Sequence, residues 1–253
     1  MVSIDEQLSR APKRSFPPPP CTEKKPMKII AFGDIHMATA ETGRIPGIRE
    51  ADLIILNGDL TNYGGATEVK SVLDDIMKIN PNVLAQFGNL DGGDVNEYLE
   101  RLGINLHGQA RLVGGEVCLI GVGGSNFTPF NTPSEFPEKE ISNLAGRAFR
   151  QGLEYISLAQ PLHNRKIPQI LISHVPPFNT QVDKLHNGKH VGSKAIRSVI
   201  EQYQPDLCIT GHIHEAKGKD MIRQTPIYNH GMLRQGGWIS IDIQQSQLEI
   251  TLQ

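Results

Sequence analysis

Cysteine is scarce in this 253-residue chain, which carries only Cys21, Cys118 and Cys208. An odd number without C-x-x-C spacing supports neither a disulfide framework nor a thiolate zinc site and fits a reducing compartment. Cys118 and Cys208 sit inside apolar runs, where a small buried hydrophobe is expected. An excess of basic residues is also missing. The 25 Lys and Arg against 27 Asp and Glu leave a formal net charge of −2, which argues against polymeric nucleic acid as a partner but not against a small phosphate compound. No apolar run approaches the roughly 20 residues that span a bilayer. The first residues, MVSIDEQLSRAPKRSFPPPPC, lack the apolar segment of a secretory signal. The expectation is a cytoplasmic protein with no membrane partner. No G-x-S-x-G elbow supports a serine hydrolase. The GVGGSN segment lacks the G-x-G-x-x-G of a dinucleotide loop, and Pro129 and Pro133 interrupt any helix after it. No internal repeat is evident.

The chain does carry the pattern of one sizeable α/β domain. Residues 1–26, with the Pro17–Pro20 run and few apolar side chains, read as a disordered proline-rich tail, with partner docking as the alternative. From residue 27 to 253, short apolar runs alternate with helical patterns. KIIAF (28–32), DLIIL (52–56), VLAQF (83–87), EVCLIGV (116–122), PQILI (168–172) and DLCIT (206–210) read as strands buried on both faces. Val69, Val72, Leu73, Ile76 and Ile79 recur at helical spacing. So do Ile196, Val199, Ile200 and Tyr203, behind a Ser193 cap. The C-terminal GWISIDIQQSQLEITLQ alternates like two half-exposed strands joined by a turn. Residues 123–139 and 175–191 are long loops, a class that is usually functional in compact domains.

Five of the strands run into polar residues of one chemical kind: Gly33-Asp34-Ile35-His36, Asn57-Gly58-Asp59, Gly88-Asn89-Leu90-Asp91, Ser173-His174 and Gly211-His212-Ile213-His214. Singly, most of these are ordinary turn chemistry. In this order, each behind a buried strand, they bring carboxylates, imidazoles and an amide oxygen to the carboxyl ends of a sheet, where ligands gather in α/β proteins. The side-chain period of two predicts that Asp34 and His36 project to one side, as do His212 and His214.

The ordered series GDIH, GDLT, GNLD, SH and GHIH resembles the calcineurin-like metallophosphoesterase family, and HVGSKAIRSVIEQYQPDLCITGHIHEAKG is especially similar. The resemblance covers roughly residues 27–253 and implies a four-layer αββα sandwich of two mixed sheets flanked by helices. It implies two divalent metal ions, one held by Asp34, His36 and His214 and the other by Asn89, His174 and His212, with Asp59 bridging. The implied reaction is hydrolysis of a small phosphomonoester or phosphodiester, cyclic nucleotides included, by a metal-bridging hydroxide. Hard oxygen and borderline nitrogen donors suit Mn, Fe, Zn or Co. Two divalent ions against Asp34, Asp59 and a hydroxide leave the centre net positive, which suits an anionic ester.

One position departs from the pattern. The family has His after the Asn, where it aids the phosphoryl group and protonates the leaving oxygen; this chain has Leu90. Three readings follow: a leaving group that water or Asp91 serves, another His in place of the lost one, or a weakly active or non-catalytic scaffold. His186 and His190, in the loop after His174, are the substitute candidates, with His190 assigned to catalysis beside Asp59, Asn89 and Asp91. Asn62, Leu90, Asn126, His186 and His230 are the substrate-side candidates. His107 and His163 read as surface residues.

Overall fold

The computed structural model describes residues 25–163 and 165–253, without the side chain of His163; the tail expected over residues 1–26 falls almost wholly outside the described residues. Two sheets stack face to face. The first has the order β11-β10-β1-β2-β3, from β1 (Met27–Phe32), β2 (Leu53–Asn57), β3 (Val83–Gln86), β10 (Ile239–Gln244) and β11 (Gln247–Leu252). The second has the order β4-β5-β6-β7-β9-β8, from β4 (Ala110–Val113), β5 (Val117–Val122), β6 (Gln169–Ser173), β7 (Leu207–Thr210), β8 (Gly218–Ile222) and β9 (Thr225–Asn229). Both are mixed. β1, β2 and β3 run parallel, with β10 and β11 added antiparallel; β5, β6, β7 and β9 run parallel between antiparallel β4 and β8.

Alternation along the strands explains the layers. In β1, Ile29 and Ala31 join Ile170, Ile172, Leu207 and Ile209 in the core between the sheets. Ile30 and Phe32 face the other way, against Val69, Leu73 and Ile76 of α1 (Ala66–Ile79) and Leu99 of α2 (Asp94–Arg101). In the second sheet, Cys118, Ile120 and Cys208 pack outward on α3 (Glu138–His163) and α4 (Lys194–Tyr203). Each inner strand is therefore apolar on both faces and each helix on one stripe. The result is the αββα sandwich.

The predicted strands and the two predicted helices are present, and Ser193 caps α4 by accepting from Ile196 N–H at 3.2 Å. Sequence periodicity did not reveal α2, β4, β8 or β9, which are short, or α3, whose 26 residues expose large side chains such as Leu158 and Leu162. α3 runs through His163. His107 is not the surface residue expected but is half-buried. Its ring stacks beside Phe136 and lies 4.5 Å, centroid to centroid, from Phe87, while its Nδ1 accepts from Gly123 N–H at 3.0 Å.

Gln86 ties the sheets together at one end. Its buried amide donates to Asn57 Oδ1 at 2.8 Å in the first sheet, and to the carbonyls of Val122 and Ile172 at 3.1 and 3.2 Å in the second. This clamp lies at the carboxyl ends of the parallel strands, where all five polar motifs leave the sheets.

Candidate metal centre

The motif side chains do not converge by strand pleating. β1 ends at Phe32 and β7 at Thr210, so Asp34, His36, His212 and His214 stand beyond the strands and the period-two expectation does not apply to them. Asp34, His36, Asp59 and His212 instead take left-handed backbone conformations, with φ of 47°, 48°, 45° and 66°. Each such residue costs about 1–2 kcal/mol, strain that persists where the surroundings over-determine the turn. Asp34 N–H donates to Gly58 O at 2.9 Å and both Ile35 and His36 N–H reach Asp59 O, so the β1 and β2 exits hold each other. Gly88 is required by close approach: a Cβ there would lie 2.1 Å from Asp59 Oδ1 and 2.2 Å from Asp59 N.

Two clusters of donors result. Asp34, His36 and His214 form one, and Asp59, His174 and His212 the other, each with one ligand atom per residue within 4.8 Å of the rest. His36 Nε2 and His214 Nε2 are 3.2 Å apart, and His214 Nε2 is 3.2 Å from Asp34 Oδ1. In the second cluster His174 Nε2 lies 3.1 Å from Asn89 Oδ1 and 3.5 Å from Asp59 Oδ1. Asn89 thus sits beside the second triad. Its amide donates to Thr132 Oγ1 at 3.0 Å, which turns the oxygen toward His174. Thr132 in turn donates to Glu135 at 2.6 Å.

The supporting bonds orient the imidazoles for cation binding. His36 Nδ1 lies 3.0 Å from Asn62 Oδ1 while the Asn62 amide donates to His36 O at 3.2 Å. His174 Nδ1 donates to Asn57 O at 2.8 Å. Both arrangements place the hydrogen on Nδ1 and leave the Nε2 lone pair facing other acceptors, a set that a cation satisfies and neutral side chains do not. Without a cation, a proton fills that place. Burial pushes His174 down, but the Asp59 charge and hydrogen bond outweigh it and raise the group to about 9. His212 goes the other way, to about 4, through burial and the neighbouring His174 charge. Burial also acts to raise Asp34; the His214 hydrogen bond and nearby His charges win and hold it below the usual carboxylate range. The donor set, the lone-pair directions and this competition between proton and cation all fit a divalent metal pair.

The remaining sequence-predicted residues fall into two groups. Leu90, Asn126 and His190 line a cavity of about 700 Å³ together with Asp59, Asn89 and His212. Asn126 donates to Val191 O at 3.3 Å and leaves its buried Oδ1 without a partner. Asp91, His186 and His230 do not line that cavity. Asp91 is fully buried and accepts four hydrogen bonds, from Leu60 N–H, Gly88 N–H, Thr61 N–H and the Thr61 hydroxyl, at 2.8–3.0 Å. It joins the Asp59 and Asn89 loops from behind. His186 is exposed, with its backbone N–H toward Glu215. His230 is fully buried behind the centre, 3.8 Å from Asp34 Oδ2 and 3.2 Å from the Asn57 amide.

Sequence reading missed Asn57, Thr132 and Asp183, whose roles are to orient other side chains, and the aromatic rim of Phe127 and Phe130, 67% and 76% exposed. The rim's signal was present, since both lie in the aperiodic loop 123–139. The orienting residues have no one-dimensional signal.

The family model for calcineurin-like phosphoesterases matches residues 27–216. The chain belongs to the calcineurin-like phosphoesterase family. Members are dinuclear metal-dependent hydrolases, and the two donor clusters fall inside the matched region. The uncharacterized protein MJ1162 of Methanocaldococcus jannaschii is 35% identical over 214 residues, which is 81% of this chain and 88% of the relative. The crystal structure of TT1561 of Thermus thermophilus aligns with a TM-score of 0.60 at 18% identity, covering 90% of this chain and 99% of that one. A dimetal phosphatase from Danio rerio aligns with a TM-score of 0.52 at 11% identity, covering 90% and 99%. Both structures share the fold. No helix among the described residues is long and apolar enough to cross a membrane.

Proposed function

We propose that this protein hydrolyses a small phosphodiester that carries an apolar or aromatic group. The observation that carries this reading is the shared cavity, in which both donor clusters open onto the same space as Leu90, Phe127, Phe130 and Phe178. Two divalent cations, of Mn, Fe, Zn or Co, would supply charge neutralisation and a water acid enough to lose its proton near neutral pH. Asp34, His36 and His214 would hold one and Asn89, His174 and His212 the other, with Asp59, a member of the second cluster, as the ligand both would share.

The rest is work for this chain's own atoms. Asn57 and Asn62 fix which imidazole nitrogen faces the centre, and Thr132 fixes the Asn89 oxygen. Asp91 locks the loops that present Asp59 and Asn89 and is a positioning residue in this reading. Asn126 lines the substrate space, and the aromatic rim covers the organic part of the substrate. Leu90 gives that part an apolar surface where an ionisable side chain would otherwise stand. His186 and His230 receive no substrate contact here, and Asn62 acts through His36. A cytoplasmic location completes the reading, in keeping with the light use of cysteine.

The test is metal analysis of the purified protein with a panel of phosphomonoesters and phosphodiesters after Mn or Zn loading. Two bound metals, turnover of diesters and loss of turnover in Asp59→Asn are expected. A protein that binds no metal and cleaves nothing after loading would overturn the proposal.

A further inference from the structure

Leu90 leaves the departing oxygen without a donor at that position, and a titratable side chain outside the motif series faces the same cavity. His190 lines it together with Asp59, Asn89, His212 and His214. Its Nδ1 lies 2.7 Å from Asp183 Oδ1. Asp183 is fully buried, and its carboxylate also accepts from Thr180 N–H at 2.8 Å, Gly192 N–H at 3.0 Å and Asn179 N–H at 3.1 Å. These backbone donors fix the carboxylate's direction. An acceptor so placed requires the hydrogen on His190 Nδ1, which leaves Nε2 as the nitrogen available to the cavity.

Backbone bonds within the loop brace this pair. Val191 N–H donates to Asp183 O at 3.1 Å, Leu185 N–H donates to Lys189 O at 2.9 Å, and Lys184 and His190 form an antiparallel bridge. The Phe178 ring meets the imidazole edge-on, with centroids 6.0 Å apart. A carboxylate behind one imidazole nitrogen and a reaction space before the other is the arrangement that supports proton transfer by histidine.

We propose that His190, oriented by Asp183, is the general acid that replaces the side chain absent at position 90; the inference rests on the phosphoesterase reading. A hydroxide derived from water attacks phosphorus, and water's other proton goes to solvent. The bond from phosphorus to the leaving oxygen breaks, and that oxygen, holding the electron pair, takes the Nε2 proton of the His190 imidazolium. The products are an alcohol, a phosphate monoester and neutral His190, which regains its proton from solvent. Asp183 is a positioning residue that holds the ring through Nδ1 with Nε2 left for the cavity.

The test compares wild type with His190→Gln, both loaded with Mn, on two kinds of diester. One is a p-nitrophenyl diester, whose leaving phenolate needs no proton. The other is a panel of alkyl diesters that includes cyclic nucleotides. His190→Gln should lose about 10²–10⁴-fold on the alkyl diesters and less than about tenfold on the aryl ester. Asp183→Asn should lower kcat on alkyl diesters with KM little changed. In metal-free protein, nitrogen NMR should show a His190 resonance fixed as the Nδ1–H form, absent from His190→Gln and averaged between tautomers in Asp183→Asn. Equal losses on both kinds of diester, a wild type confined to aryl esters, or a His190 ring without the fixed Nδ1–H would overturn the inference and leave the phosphoesterase reading standing. A loaded wild type that cleaves neither kind overturns that reading and the acid role with it.

Discussion

His174 reaches across the sandwich to Asn57: the imidazole Nδ1 donates to the backbone carbonyl at the end of β2 over 2.8 Å. That one bond joins the two sheets and directs Nε2 at Asn89 and Asp59. The same orientation that suits a cation also traps a proton, with His174 raised to about 9 by Asp59.

A proton-for-metal exchange is therefore expected. In metal-free protein, the raised His174 contributes stability that is complete below pH 6.5 and lost as pH rises through about 9. Addition of Mn or Zn below about pH 9, where His174 still holds its proton, should displace and release it. Calorimetry in two buffers of different ionisation enthalpy measures the release; a heat independent of buffer would show that His174 binds no metal.

On the acid side the sign reverses. Burial lowers His107 from 6.5 to about 4, so the unfolded chain binds the extra proton first, and stability falls from pH 6.5 downward until about 4. The ring is half-buried, and solvent screening trims its share to on the order of 2 kcal/mol. His107→Asn can still accept from Gly123 N–H. It should flatten the fall of thermal midpoint between pH 6.5 and 4, and an unchanged slope would assign the acid loss to other groups.

Asp91→Asn should be costly although Asp91 does not line the cavity. The amide nitrogen would meet N–H donors now served by a carboxylate oxygen, at Leu60 and Gly88 or at Thr61. An unsatisfied buried donor costs about 1–3 kcal/mol, or roughly 2–10 °C in midpoint for a chain of this size. Metal affinity should fall with it, because the Asp59 and Asn89 loops lose their common anchor. A variant with normal midpoint and metal content would remove Asp91 from that role.

Leu90→His separates the two ways of supplying a proton. With His190 in place, the new imidazole should change turnover of alkyl diesters by no more than a few-fold, against the roughly 10²–10⁴ that a missing acid is worth. In the His190→Gln background it should recover a large part of the loss. A strong gain in otherwise wild-type protein would mean that no acid operates there.

The rim is expected to bind rather than to react. Phe127→Ala and Phe130→Ala should raise KM for diesters bearing an aromatic group and leave kcat and thermal midpoint nearly unchanged, since both rings are largely exposed. Steady-state kinetics on aromatic and small aliphatic diesters side by side measures the difference.

Local order along the chain sufficed for the apolar inner strands, though not for β4, β8 or β9, because runs such as those of β1 and β2 and the polar residues behind them are nearest neighbours in sequence. It also named the seven residues that the structure brings together in the two donor clusters and beside them. It did not give the reason they converge. Period-two projection was the expectation, whereas left-handed turns at Asp34, His36, Asp59 and His212 aim the side chains. Those conformations are strained for residues with a Cβ, so no propensity foretells them, and only the mutual bonding of adjacent loops holds them in place.

The sequence by itself determined the apolar runs of the inner strands, the family motifs and the anomaly at Leu90, while two sheets in four layers came only as what the family resemblance implies. Tertiary structure alone decided what lies behind and around them: Asn57 against His174, Asp91 behind its two loops, and Asp183 behind His190. The physical reason is range. A motif of carboxylates and imidazoles can be written within four residues, but the group that fixes a ring's tautomer is chosen by space, and for His174 it comes from a strand in the other sheet.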